Sequence, residues 1–231
     1  MSQISKNIEL IKQRITQAAT EAKRDLEQIH LLAVSKTKPV EAIEEAYQAG
    51  IINVGENYLQ EALQKQSQLT ALPLVWHFIG PIQSNKTKDI AKNFTWVHAV
   101  DRLKIAERLS HQRPSHLPEL QICIQVNISN ESTKSGCKSD EILALVSAIE
   151  ALPNIKLRGL MAIPEPTEDT SLQREVFAKL RQLKDTINEQ LSLSLDTLSM
   201  GMSHDLESAI IEGATWVRIG SAIFGERNYK V

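Results

Sequence analysis

The stretch LLAVSKTKP, residues 31 to 39, runs through an apolar segment and stops on Lys36. An amine at the end of a buried strand loses solvation, its pKa falls, and it becomes a nucleophile toward a carbonyl carbon. The plainer alternative is a lysine whose stem packs while its ammonium snorkels to water. Lys38, beside Pro39 at a helix start, is read as solvated. Two later stretches carry a different chemistry. LSMGMSHD places Ser199, Gly201 and Ser203 just before a helical pattern, and VRIGSAIFG places Gly220 and Ser221 just after an apolar one. Small residues at a helix start let backbone N–H groups approach an anion, a phosphate above all. Taken singly, Gly201 is equally a turn glycine and Ser203 an N-cap. Arg218 shares a strand face with Trp216, so it points inward or closes a structural salt bridge.

Those residues need a frame. β-rich runs lie near residues 30 to 35, 52 to 55, 75 to 79, 95 to 99, 120 to 128, 156 to 161, 196 to 199 and 215 to 219. Helical patterns fill the intervals near 39 to 49, 57 to 69, 83 to 92, 101 to 112, 139 to 150, 168 to 191 and 203 to 213. An amphipathic N-terminal helix precedes them, with Ile4, Ile8, Ile11 and Ile15 at helical spacing. Parallel pairing needs such crossovers. Eight strand–helix units point to a single (β/α)8 TIM barrel rather than an open doubly wound sheet, which would more often show a Gly-rich first turn. No linker divides residues 1–231, so one domain is expected. In such a barrel the strand C-termini build the active face, and phosphate sites often follow strands seven and eight. If Leu32, Val34 and Lys36 face inward, the ammonium sits at the mouth above an apolar floor.

Composition removes several classes of function. A formal charge of -2, from 26 basic and 28 acidic side chains, lacks the positive field of a nucleic-acid binder. No apolar run reaches the roughly 20 residues that span a bilayer, and the charged N-terminal helix is unlike a signal peptide. Two cysteines, Cys123 and Cys137, are too few for a zinc cluster and read as reduced thiols, which points to the cytoplasm.

A nucleophilic lysine after strand one, facing anion-receiving loops after strands seven and eight, suggests a phosphorylated aldehyde held as a Schiff base. Pyridoxal 5'-phosphate (PLP) meets both requirements. The strings AVSKTKP, VGENYLQE, WHFIGPIQSNK, VNISNESTKSG, LRGLMAIP, LSMGMSHDLESAI and VRIGSAIFGER resemble, over nearly the whole chain, the pyridoxal phosphate homeostasis protein family. That family is similar to the barrel domain of alanine racemase and ornithine decarboxylases, the type III fold of PLP enzymes, without their second β-domain. The resemblance implies PLP covalent to Lys36, with Ser199, Gly201, Gly220 and Ser221 receiving the phosphate. It implies Arg218 at the pyridine nitrogen or on the phosphate side, and Asn57 and His77 along the ring. Met161 and Met200 are read as adaptable apolar walls near the ring. Against these stand plainer assignments: Asn57 with Gln60 forms a capping-box pattern, and His77 suits a hydrogen-bonded core histidine. Glu131 and Lys134, in the loop after strand five, are read as an exposed ion pair.

An enzyme on this cofactor needs an electron sink and a group to move a proton. A guanidinium at the pyridine nitrogen only donates, which weakens the sink. In alanine racemase-like enzymes the opposing base is a tyrosine from the second domain of a partner subunit. Here Tyr47, Tyr58 and Tyr229 are the only tyrosines, and Tyr229 is the first substitute to consider. The expectation is therefore a monomeric carrier that buffers PLP or hands it to apo-enzymes, without turnover, influencing vitamin B6 and amino-acid balance. The alternatives are a small PLP-dependent amino-acid racemase, or a cofactor-free lysine aldolase acting on a sugar phosphate.

Overall fold

The structure is a computed structural model and describes residues 2–129 and 135–226. Eight parallel strands close a barrel in sequence order: β1 (His30–Val34), β2 (Asn53–Glu56), β3 (Val75–Phe78), β4 (Trp96–Val100), β5 (Leu120–Gln125), β6 (Ile155–Met161), β7 (Thr197–Ser199) and β8 (Trp216–Ile219). Pairing of β1 with β8 closes the cylinder and aligns His30 with Trp216 and Leu32 with Arg218. The (β/α)8 expectation holds. Seven strands begin and end within one residue of their expected limits; the run 120 to 128 instead ends at Gln125. There Val126 leaves the sheet to bridge with Cys137, whose N–H donates to the Gln125 carbonyl at 2.8 Å.

The crossovers are α2 (Val40–Gln48), α3 (Leu59–Gln68), α4 (Thr87–Asn93), α5 (Leu103–Gln112), α6 (Ile142–Glu150), α7 (Thr170–Leu191) and α8 (Leu206–Ile211). Their buried faces, with Ile43, Ala62, Ile90, Leu109, Val146 and Phe177, pack on the outer wall of the barrel. Each large apolar side chain so removed from water contributes about 1.5–3 kcal/mol.

β8 is followed by a helix of only four residues, α9 (Ser221–Phe224), which the sequence pattern does not announce. The wall it leaves is covered by the N-terminal helix α1 (Gln3–Glu21), packed against α2, α8 and α9. Ser2 caps α1 by accepting from the Ser5 N–H, and Ile8, Ile11 and Ile15 are buried beneath it, as their spacing predicts. Arg14 ties this helix to the site end of the barrel, pairing with Glu207 at 2.6 Å and donating to the Ser203 carbonyl at 3.1 Å. Among the described residues no helix is long and apolar enough to cross a membrane. Both cysteines are unbridged and buried; burial raises both thiols, Cys137 to about 11, which leaves them protonated and inert.

Candidate functional site

A cavity of about 330 Å³ opens at the C-terminal ends of the strands. Lys36 enters it from the turn after β1, Asn57 from just past β2, and Ile79 from just past β3. Across the opening stand Ser203 and His204 after β7, and Gly220 and Ser221 after β8. Val34 and Arg218, on strands β1 and β8, also line the wall. Val34 ends β1 and Arg218 lies on β8, and Lys36 and Gly220 follow each of them by two residues, just past the strand ends. Among the described lining residues the charges are all cationic, Lys36, Lys38 and Arg218, with no carboxylate. The field therefore favours an anion.

The two loops expected to receive an anion meet. Ser203 Oγ lies 3.4 Å from Ser221 Oγ and accepts from the Ala222 N–H at 3.4 Å. Ser203 is thus not a helix cap: α8 starts later, at Leu206, and Asp205 Oδ1 turns back to accept from the Met202 N–H at 2.5 Å. Gly201 sits at φ +93, a backbone that side chains rarely adopt, and a Cβ there would stand 2.5 Å from Ala209 Cβ. It makes the turn into this loop without lining the cavity.

Arg218 is nearly inaccessible and makes no salt bridge within 4 Å among the described residues. Its Nη1 donates to Ser199 Oγ at 2.9 Å and its Nη2 to the Ala162 carbonyl at 2.9 Å. Burial pulls its pKa down to about 10, which keeps it charged at neutral pH. Below it runs a chain of side chains through the barrel interior. Ser199 Oγ lies 2.7 Å from His98 Nδ1, His98 Nε2 lies 3.0 Å from His77 Nδ1, and His77 Nε2 lies 3.3 Å from Asn53 Oδ1. The end fixes the direction. Asn53 Oδ1 only accepts, so His77 donates from Nε2 and accepts at Nδ1; His98 then donates from Nε2 and accepts at Nδ1 from the Ser199 hydroxyl. Every proton points away from Arg218 and both imidazoles are neutral. Burial enforces this state, pushing His98 down to about 3 and His77 well below the ordinary range.

Several expected site residues fall outside the cavity. Ser199 is fully buried with its hydroxyl between Arg218 and His98. His77 lies deeper, stacked on Trp96 with ring centroids 5.7 Å apart, in the core role its residue type favours. Met161, in register with Ser199, is fully buried, and Met200, one residue past Ser199, faces the helix layer. Asn57 does line the wall and is not an N-cap, because Tyr58 takes that position on α3. Lys38, half-exposed, also lines the wall and donates to the Glu226 carbonyl at 2.7 Å. The sequence pattern did not single out Ile79, Ile163, Met202 or His204; only their places just past strand ends signalled them. Glu131, Lys134 and Tyr229 lie outside the described residues.

The alanine racemase N-terminal domain model matches residues 2–228. A pyridoxal phosphate homeostasis protein of Pseudomonas aeruginosa is 60% identical over 229 residues, which cover 99% of this chain and 98% of that one. Its counterpart in Escherichia coli is 47% identical, with 99% of each chain covered. The solved structure of PipY from Synechococcus elongatus with PLP bound superposes with a TM-score of 0.81 at 36% identity, over 92% of this chain and all of that one. Alanine racemase of Clostridium difficile shares the fold alone, with a TM-score of 0.72 at 13% identity over 95% of this chain and 57% of its own. On this sequence identity and full-length coverage, the chain belongs to the pyridoxal phosphate homeostasis protein family.

Proposed function

We propose that this protein holds PLP in the cavity at the barrel mouth, covalently through Lys36, and buffers or delivers it within the cell. The observation that carries this reading is the sharing of one 330 Å³ cavity by an amine after β1 and hydroxyl-bearing loops after β7 and β8. That volume lies at the lower end of the range for small-molecule sites, about 300–1,000 Å³. The residues fit the group. Asn57 Oδ1 is buried without a hydrogen-bond partner on this wall, a polar atom awaiting a ligand. The cationic lining suits a phosphate dianion, and Val34, Ile79 and Ile163 offer apolar surface to a ring. The PLP found in the PipY structure supports the same ligand here.

In this reading Ser203, Gly220 and Ser221 take the phosphate end and Asn57 the ring edge. Arg218, two residues before Gly220 along β8, donates to the ring nitrogen. Ser199 meets the ligand only through Arg218, and Gly201 shapes the phosphate loop. Met161 and His77 lie beneath the cavity. When bound, the group supplies the aldehyde carbon with which the Lys36 amine condenses. The chain's own residues position that amine, hold the anion and keep Arg218 a donor. The relatives' names describe homeostasis rather than turnover, in keeping with a monomeric cytoplasmic carrier that serves apo-enzymes. A racemase reading has one observation in its favour, the imidazole of His204 on the cavity wall.

Borohydride reduction of the protein incubated with PLP, followed by peptide mapping, tests the attachment. α-Hydrogen exchange of amino acids in deuterated water tests turnover. The carrier reading expects label on Lys36 and no exchange; steady exchange that disappears in His204→Ala establishes the racemase instead.

A further inference from the structure

Lys36 stands between two residues whose backbones are pinned by one buried ion cluster. On its N-terminal side, Ser35 donates its N–H to the Gly55 carbonyl at 3.1 Å and its hydroxyl to Glu56 Oε1 at 2.5 Å. The Ser35 carbonyl accepts from Lys65 Nζ at 2.8 Å. On its C-terminal side, the Thr37 N–H donates to Glu61 Oε1 at 2.5 Å. Lys65 Nζ joins the two sides, donating also to Glu56 Oε1 at 2.7 Å and to Glu61 Oε1 at 2.6 Å. All three ammonium protons are therefore used.

The arrangement is unusual in two respects. Glu61 and Lys65, four residues apart on α3, form the kind of pair that on a surface contributes only a few tenths of a kcal/mol. Here Lys65 is 5% exposed and Glu56 fully buried. Burying such charges brings little net stability compared with apolar side chains of the same volume, so their contribution is directional. The second feature is Thr37, a β-branched residue at φ +64, a conformation that persists only where the surroundings impose it. Two bonds restrain it: the turn bond from Lys38 N–H to the Ser35 carbonyl at 3.0 Å, and the bond from Thr37 N–H to Glu61 on the helix behind.

We propose that the Glu56–Lys65–Glu61 cluster positions the Lys36 amine for bond formation with a carbonyl ligand, Lys65 and Glu61 acting as positioning residues from the helix layer behind the barrel wall. This rests on the reading of Lys36 as the PLP-holding amine. The cluster fixes a carbonyl before Lys36 and an amide after it, so the stem of Lys36 leaves a backbone with little freedom. Misplacement of a reacting group by about 1 Å can cost about a hundredfold in rate. Noncovalent capture of the phosphate, on the opposite loops, does not depend on this restraint.

The test uses the full chain and PLP. Glu61 is partly exposed, so Glu61→Ala is expected to fold, checked by circular dichroism. Stopped-flow absorption gives the rate of Schiff-base formation, and equilibrium dialysis of PLP into Lys36→Ala and Lys36→Ala/Glu61→Ala gives noncovalent affinity. Glu61→Ala should slow bond formation about tenfold, and noncovalent affinity should differ less than about threefold between the two dialysed proteins. Glu61→Gln keeps an acceptor for Thr37 and should restore most of the rate. The double variant Lys65→Met/Glu56→Gln leaves no unpaired buried charge and should also be slow. Wild-type rates in Glu61→Ala and in the double variant overturn the proposal, as does failure of Glu61→Gln to recover. Absence of borohydride label on Lys36 in the wild-type protein overturns instead the reading of function on which it rests.

Discussion

Arg218 Nη1 lies 2.9 Å from Ser199 Oγ, so this guanidinium on the cavity wall is held from beneath by a hydroxyl that does not itself reach the cavity. Ser199→Ala removes the acceptor of Arg218 and the donor to His98 together. Leaving buried polar groups unsatisfied costs about 1–3 kcal/mol each, which a urea titration would show as a lowered midpoint. If Ser199 acts only through Arg218, affinity in the variant should fall by a similar factor, about tenfold, for PLP and for phosphate-free pyridoxal. A loss confined to PLP would return Ser199 to direct phosphate contact.

The neutral imidazoles predict a pH dependence of stability. His98 is pushed from 6.5 to about 3 and His77 is also lowered, both chiefly by burial. Below 6.5 the unfolded chain takes up protons that the folded chain refuses, so stability is full above that pH and is lost as pH falls toward about 3. Each histidine contributes a slope of up to about 1.4 kcal/mol per pH unit in that window. Glu56, raised by burial, works in the opposite sense above 4.5, so the comparison must be with a histidine variant. His98→Gln should flatten the decline between pH 6.5 and 5 measured by denaturant unfolding. An unchanged slope would mean that His98 is charged in the folded protein.

Gly201 and Gly225 both have positive φ, yet they differ in surroundings. A Cβ at Gly201 meets Ala209 Cβ at 2.5 Å, whereas at Gly225 nothing among the described residues lies within 4 Å. Gly225→Ala should cost only the backbone penalty of its φ +77, ψ 173 conformation, which is essentially confined to glycine, about 1–3 kcal/mol. Gly201→Ala adds a steric displacement of the Ser203 loop, so its melting temperature should fall further and its PLP affinity should drop. Equal losses in the two variants would show that the loop after β7 tolerates that displacement.

What could be read from the sequence follows from the range of the interactions involved. Strand and helix existence depends on local periodicity, and Ile8, Ile11 and Ile15 or the apolar run before Lys36 announce their elements directly. That the loops after β7 and β8 share a cavity was legible, because barrel position gives their glycines and serines a meaning. Register was not. Ser199 lies two residues from Gly201 in sequence but one layer down in the barrel, where its hydroxyl meets Arg218 and does not line the cavity. The chain from Arg218 to Asn53 joins strands β8, β7, β4, β3 and β2, and no pattern within one segment reveals it. Lys65 left a faint trace: Leu59, Ala62 and Leu69 place it on the buried face of α3, where a lysine needs partners. Those partners, Ser35 and Glu56, sit on other elements.

The most direct measurement is the site of borohydride-fixed label after incubation with PLP, mapped by peptide mass spectrometry in the wild-type protein and in Lys36→Ala. One stoichiometric adduct on Lys36, with loss of the Schiff-base absorption band in the variant, is the predicted result. Label distributed over surface lysines, or an undiminished band in Lys36→Ala, would contradict it.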